Sequence, residues 1–172
     1  YHLMEEKIIL NIAILTISNS RSEETDKSGN VLKKLIKETG HNIFEKNIVR
    51  DNIYSIRNIV STWIDNEKIN AIITTGGTGV TGDDGTPEAI EVLLDKKIDG
   101  FGEIFRSISY DKIKTSTIQS RAIAGVANST YIFCLPGSPG ACKDAWEEII
   151  KHQLNSNNKP CNLVELMPRL KS

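Results

Sequence analysis

Cysteine is scarce and odd in number. Cys134, Cys142 and Cys161 are the three in 172 residues, and no C-x-x-C pair occurs, which excludes a disulfide framework and a thiolate zinc site. Histidine is as rare: His2, His41 and His152 lie far apart, without metal-ligand spacing, and are expected at the surface. Charge of either sign is missing in excess. The 21 Lys+Arg against 22 Asp+Glu leave a net of -1, which excludes the broad basic footprint of a nucleic-acid binder and any acidic tail. No apolar run approaches the ~20 residues that span a bilayer. The first residues lack the basic and apolar regions of a signal peptide, so the expected location is the cytoplasm, with no membrane partner.

What remains reads as one domain over 1–172, with terminal extensions at 1–7 and 155–172. Residues 12–17 form a β-branched, buried-strand signal. A polar loop follows, then Ser28 as N-cap of a helix carrying Leu32, Leu35 and Ile36 on one stripe, ended by Gly40 at C′. Residues 43–49 read as a second strand, and 71–75 as a third, fully buried one. Between them Ile53, Ile56, Ile59, Val60, Trp63 and Ile64 recur at helical spacing. Thr86-Pro87 offers an N-cap with proline at N1, and a short helix is expected around Phe101, Ile104 and Phe105. Residues 122–126 and 131–135 flank Asn128-Ser129 as a hairpin. Trp146, Ile149 and Ile150 mark a final helix before a polar tail. Strands alternating with helices predict an α/β fold: a three-layer α/β/α sandwich with a mostly parallel mixed sheet.

In such a sheet the loops after the strands' carboxyl ends gather on one edge, where ligands bind. The unusual segments, residues 18–29, 50–51, 76–87 and 136–140, all sit at strand exits. Gly76-Gly77-Thr78-Gly79 frees backbone amides for an anion or simply makes a tight turn. No G-K-[ST] follows it, which argues against P-loop ATPase chemistry. Asp51 and one of the adjacent pair Asp83 and Asp84 come from separate strand exits. Two such carboxylates suit Mg²⁺ completed by water and substrate phosphates, the arrangement of phosphoryl or nucleotidyl transfer. Asp51 serves equally as a helix cap, Glu88 as a partner of the helix dipole, and Arg121 as either anion ligand or structural ion pair. Asp26, Ser28 and Gly29 mark a helix start open to an anion.

These segments together resemble the MoaB/MogA family of molybdenum-cofactor biosynthesis, on its MoaB branch. The resemblance rests on Thr16-Ile17-Ser18-Asn19 with Asp26-Lys27-Ser28-Gly29, and on the T-G-G-T-G…D-x-T-P-E-A string of residues 75–89. Gly100-Phe101-Gly102-Glu103, Ser120-Arg121-Ala122 and the L-P-G-S-P of residues 135–139 complete it. Asn19 and Gly85 depart from the pattern, where aspartate and valine are usual. The resemblance implies a homo-trimer or homo-hexamer and a Mg-dependent transfer of AMP from ATP to molybdopterin, with release of pyrophosphate and hand-off to a MoeA-type insertase. It implies Asp51 and Asp84 as catalytic and Mg²⁺-holding. Ser18, Asp26, Ser28, Gly29, Gly76, Gly77, Thr78, Gly79, Thr86, Pro136, Gly137 and Ser138 are the implied substrate-binding residues. Two other expectations stand beside it: a non-catalytic molybdopterin carrier of the MoaB branch, or a CinA-like nucleotide pyrophosphatase, whose Thr-x-Asp-Asp-x-Thr string is similar to residues 81–86.

Overall fold

The computed structural model describes residues 6–171. Six strands form one sheet: β1 Asn11–Ile17, β2 Asn42–Val49, β3 Ala71–Thr75, β4 Lys96–Lys97, β5 Ile123–Ala127 and β6 Thr130–Leu135, in the order β2-β1-β3-β6-β5-β4. β2, β1, β3 and β6 are parallel, while β5 runs antiparallel between β6 and β4. The hairpin that reverses the chain turns at Asn128 and Ser129, whose φ values of 45° and 67° are those of the primed turn that matches strand twist.

Side-chain alternation along the buried strands divides the core in two. Ile12 and Ile14 of β1, Ile73 of β3 and Phe133 of β6 face one layer, packed against α1 Lys27–Glu38, α4 Asp99–Ile113 and α5 Pro139–Ala145. Ala13, Leu15, Ile72, Ile132 and Cys134 face the other, against Ile56, Val60 and Trp63 of α2 Ile53–Asp65 and Ala89 and Ile90 of α3 Thr86–Glu91. The chain is therefore a three-layer sandwich with a mixed sheet, as the alternation of strands and helices predicts.

Several local expectations differ. Asp26, not Ser28, caps α1, accepting from the Gly29 amide at 3.0 Å. Asn52, not Asp51, caps α2 through the amides of Tyr54 and Ser55. Gly85 stands at the N-cap of α3 while Thr86 is already helical; its hydroxyl donates to the Gly76 carbonyl at 2.8 Å. The helix around Phe101 runs for 15 residues. After α5 the helix continues through a π-helical turn, Trp146–Ile150, to Gln153. The segment beyond it is polar in sequence but folds back: Val164 is buried, Leu163, Met167 and Leu170 pack on the core, and the Tyr131 hydroxyl donates to the Leu163 carbonyl at 2.7 Å. Of the expected N-terminal extension, residues 1–5 lie outside the described residues, as does His2.

His41 is 3% exposed rather than at the surface, and its Nδ1 accepts the Leu10 amide at 3.0 Å. Burial pushes its pKa below the ordinary histidine value of 6.5, the Lys7 charge adds to this, and a backbone contact with Leu154 partly offsets it. An unfolded chain takes up the proton near 6.5 whereas the folded one resists until lower pH. Stability is therefore full above about 6.5 and falls as pH drops through the folded pKa. Thermal midpoints measured from about pH 7.5 to 5 are expected to decline in the wild type and to decline less in His41→Asn, whose Oδ1 replaces the acceptor.

Candidate functional site

The chain order β1, β2, β3 with β1 at the centre reverses the direction of winding between β1 and β3, and the crevice outside their carboxyl ends is the switch point of the sheet. A cavity of about 460 Å³ opens there. Its floor is the end of β1 at Ile17 and its near wall the loop Gly76, Gly77, Thr78 and Gly79. Pro136, Gly137 and Ser138 close a second side. Sequence alone placed these two glycine-bearing loops at one edge, and the fold brings them into contact.

Gly76 and Gly77 have φ values of 104° and 72°, in the left-handed region. A methyl on Gly76 would overlap the Ile17 carbonyl oxygen, and one on Gly77 the Thr86 hydroxyl. Gly137 passes so near that its own Cβ would stand 3.3 Å from Gly76 Cα. The turn is pinned by the Gly76 amide to the Leu135 carbonyl at 2.9 Å, the Thr86 amide to the Gly77 carbonyl at 3.0 Å, and the Thr75 hydroxyl to the Pro136 carbonyl at 2.9 Å. Among the described residues, the amides of Gly77, Thr78 and Gly137 have no protein acceptor, which leaves donors at the cleft for an anion. Gly76→Ala is expected to destabilise the fold by about 1–3 kcal/mol from backbone conformation alone, read as a lower urea midpoint at unchanged slope.

The carboxylates arrive from two further loops. Asp84 faces the cavity, and its Oδ2 accepts from the Thr81 amide at 2.9 Å and the Thr81 hydroxyl at 2.7 Å. Asp83 is exposed, so one of the adjacent pair turns inward. Burial is the largest single influence on Asp84 and raises its pKa, but the Thr81 hydroxyl and amide, the Gly79 amide and the Arg121 charge together bring it below the ordinary value. Asp51 stands behind Gly77 rather than on the cavity wall. Its Oδ1 accepts the Gly85 amide at 3.1 Å, while its own amide donates to Asn19 Oδ1 at 2.9 Å. Asn19 Oδ1 thus fixes the Asp51 backbone and the main chain of Gly85 its carboxylate. Burial pushes the Asp51 pKa up, the Gly85 amide opposes this, and Asp84, Asp83 and Glu88 raise it further by repulsion.

This donor set suits a divalent cation of Mg²⁺ type. Asp51 Oδ2 has no hydrogen-bond partner among the described residues, and burial first, then the neighbouring carboxylates, disfavour its charge, a cost that a bound cation offsets. Among the described residues no three His, Cys, Asp or Glu converge to hold a metal unaided. Asp51 and Asp84 could therefore hold a divalent cation only with substrate phosphates and water completing its shell.

Other residues implied to bind substrate lie elsewhere. Ser18 Oγ accepts from the amides of Ser20 and Arg21 and shapes its own loop. The Asp26 carboxylate turns into the protein, where Thr16 and Lys46 donate to Oδ2 at 2.7 and 2.8 Å. Gly29 packs on that carboxylate and Ser28 is buried beside it. Thr86 acts through the Gly76 carbonyl and not on the cleft. Arg121 lies just before β5, and it pairs with Glu88. Cys142 touches the Thr75 hydroxyl at 3.2 Å, and burial pushes its thiol up to about 12, the wrong direction for a nucleophile.

The remaining wall of the cavity was not foreseen. Phe105, Ser109 and Ile113 of α4, with Ser116, Gln119 and Ser120 of the 3₁₀ turn Lys114–Gln119 and its exit, close the cleft opposite the glycine loop. Phe105, Ser109 and Ile113 stand at i, i+4 and i+8, which was the available signal for one helix face. Apolar surface from Ile17, Phe105, Ile113 and Pro136, edged by serine hydroxyls and an amide, suits a flat heteroaromatic ring with polar edges.

A family model described as "Probable molybdopterin binding domain" matches residues 13–156. Molybdenum cofactor biosynthesis protein B of Escherichia coli K12 is 51% identical over 157 residues, 91% of this chain and 92% of that protein. A crystal structure of molybdenum cofactor biosynthesis protein B superposes with a TM-score of 0.83 at 44% identity, covering 86% of this chain and 92% of the other. A MogA structure reaches 0.75 at 28% identity, over 84% and 97%. Among the described residues no helix is long and apolar enough to cross a membrane. By the extent of these matches, this chain belongs to the MoaB/MogA family of molybdenum cofactor biosynthesis proteins.

Proposed function

We propose that this protein transfers the adenylyl group of ATP to the phosphate of molybdopterin, with release of pyrophosphate. A molybdopterin phosphate oxygen attacks the α-phosphorus of ATP, and the bond from that phosphorus to the oxygen bridging to the β-phosphate breaks. What supports the reading is one observation above the rest: unpaired glycine-loop amides, the Asp84 carboxylate and an apolar, hydroxyl-edged wall border one cavity at the switch point. The amides of Gly77, Thr78 and Gly137 would bind phosphate oxygens and hold them in line. The wall formed by Phe105, Ile113 and Pro136 would take the pterin ring, with Ser109 and Gln119 at its polar edges. Asp51 and Asp84 would hold Mg²⁺, which when bound offsets the charge of the phosphates. Assembly into a trimer or hexamer and delivery to a MoeA-type insertase belong to the same reading.

The test is a pyrophosphate assay with purified protein, molybdopterin and MgATP, omitting each component in turn. Release is expected only when all are present. Tight molybdopterin binding without release would make the protein a carrier, and release from nucleotides without pterin would make it a pyrophosphatase.

A further inference from the structure

The segment that carries Asp84 is a loop, and a loop of this composition does not hold a carboxylate in place unaided. Thr81, Gly82, Asp83 and Val80 are exposed. One side chain from a distant part of the sequence ties this loop to the glycine loop. Arg121 Nε donates to the Gly79 carbonyl at 2.7 Å, Nη2 donates to the Asp84 carbonyl at 2.8 Å, and the Arg121 amide donates to the Thr78 carbonyl at 2.9 Å. The far side of the guanidinium pairs with Glu88 of α3.

Arginine is suited to this place because its donors leave a rigid plane in fixed, divergent directions, so one group can bind two carbonyls and a carboxylate at once. Lysine supplies a point charge and cannot reproduce the fork. The Asp84 side chain is held separately by Thr81, and it lies over the backbone of Gly79, where a Cβ would stand 2.6 Å from Oδ2. Backbone and carboxylate of Asp84 are thus fixed from two independent directions. Arg121 itself does not border the cleft cavity; it lies on the other side of the strap formed by Ser120 to Ala122.

We infer that Arg121 is the positioning residue of the cleft, clasping the glycine loop to the Asp84 loop so that amide donors and carboxylate face the phosphate groups of one ligand. The ligand assignment rests on the molybdopterin reading; the clasp does not. The two kinds of contact differ in weight. The Glu88 pair is solvent-facing, with Arg121 and Glu88 side chains 33% and 50% exposed, and such pairs contribute little. The carbonyl bonds are part-buried and charge-assisted. Arg121, and not the ion pair, is therefore the element that matters.

Amide hydrogen exchange of residues 77–86 and molybdopterin affinity, measured on wild type, Arg121→Lys, Arg121→Ala and Glu88→Gln, test this. Arg121→Lys is expected to raise exchange in that segment about tenfold or more and weaken molybdopterin binding similarly, with β1 and β3 unchanged. Glu88→Gln should stay within about twofold of wild type on both. Added methylguanidinium should restore affinity to Arg121→Ala while methylammonium does not, a rescue that a loss of folding would not show. Unchanged exchange in Arg121→Lys overturns the clasp, as does an equal defect in Glu88→Gln. Faster exchange with unaltered affinity overturns the positioning role. If the wild type does not bind molybdopterin, the ligand reading fails, and the exchange comparison still decides the clasp.

Discussion

Asp84→Asn is expected to lower adenylyl transfer by about 10²–10³-fold while the protein stays folded, the scale of loss when one preorganised electrostatic group is removed. The substitution keeps the shape of the side chain and an oxygen for the Thr81 amide and hydroxyl. It leaves the bond between Arg121 and the Asp84 backbone carbonyl untouched. What it removes is the charge at the cavity wall, beside the glycine loop. Parallel measurement of rate and thermal midpoint separates the two effects. A large loss of rate at nearly unchanged midpoint is the expected pair, and a rate within threefold of wild type would remove Asp84 from the chemistry.

Asp26→Ala should act in the opposite way, with a large effect on stability and little on ligand affinity per folded molecule. Asp26 is 1% exposed and satisfies three donors at once: the Gly29 amide at 3.0 Å, the Thr16 hydroxyl at 2.7 Å and Lys46 at 2.8 Å. Its removal leaves Lys46, whose side chain is 12% exposed, as a buried charge without its partner. Breaking such a pair costs about 3–5 kcal/mol, which for a domain of this size lowers the midpoint by roughly 6–20 °C. Asp26→Asn should be milder, because the amide oxygen still caps α1. Replacing Lys46 with methionine in the Asp26→Ala background should recover part of the loss by removing the orphaned charge. If instead Asp26→Ala is stable and binds molybdopterin poorly, Asp26 belongs to the site after all.

The contrast between these two aspartates shows what sequence could carry. The strands at 12–17 and 71–75 were legible because β-branched runs of that length have few other uses, and the hairpin because Asn128-Ser129 tolerates left-handed backbone. The two glycine-bearing loops were legible as a cleft because a parallel sheet gathers its strand exits on one edge. Asp26 was placed at the cleft because a helix start looks open to an anion; the cation that fills it, Lys46, sits on β2 and reaches it only in the fold. His41 looked like a surface residue because nothing local reveals that the Leu10 amide needs its nitrogen. The wall from Ser109 to Ser120 escaped notice because its polar residues read as the solvent side of a helix, and only the placement of α4 against β6 and α5 turns them toward a cavity.

The direct measurement is to follow the α-phosphorus. ATP labelled at that position is incubated with molybdopterin, Mg²⁺ and the purified protein, and the products are separated. The account predicts that the label moves to molybdopterin in a protein-dependent reaction, with one pyrophosphate formed per label transferred, and that Asp84→Asn suppresses both together. Label that remains in ATP while molybdopterin is bound at the cleft would contradict it.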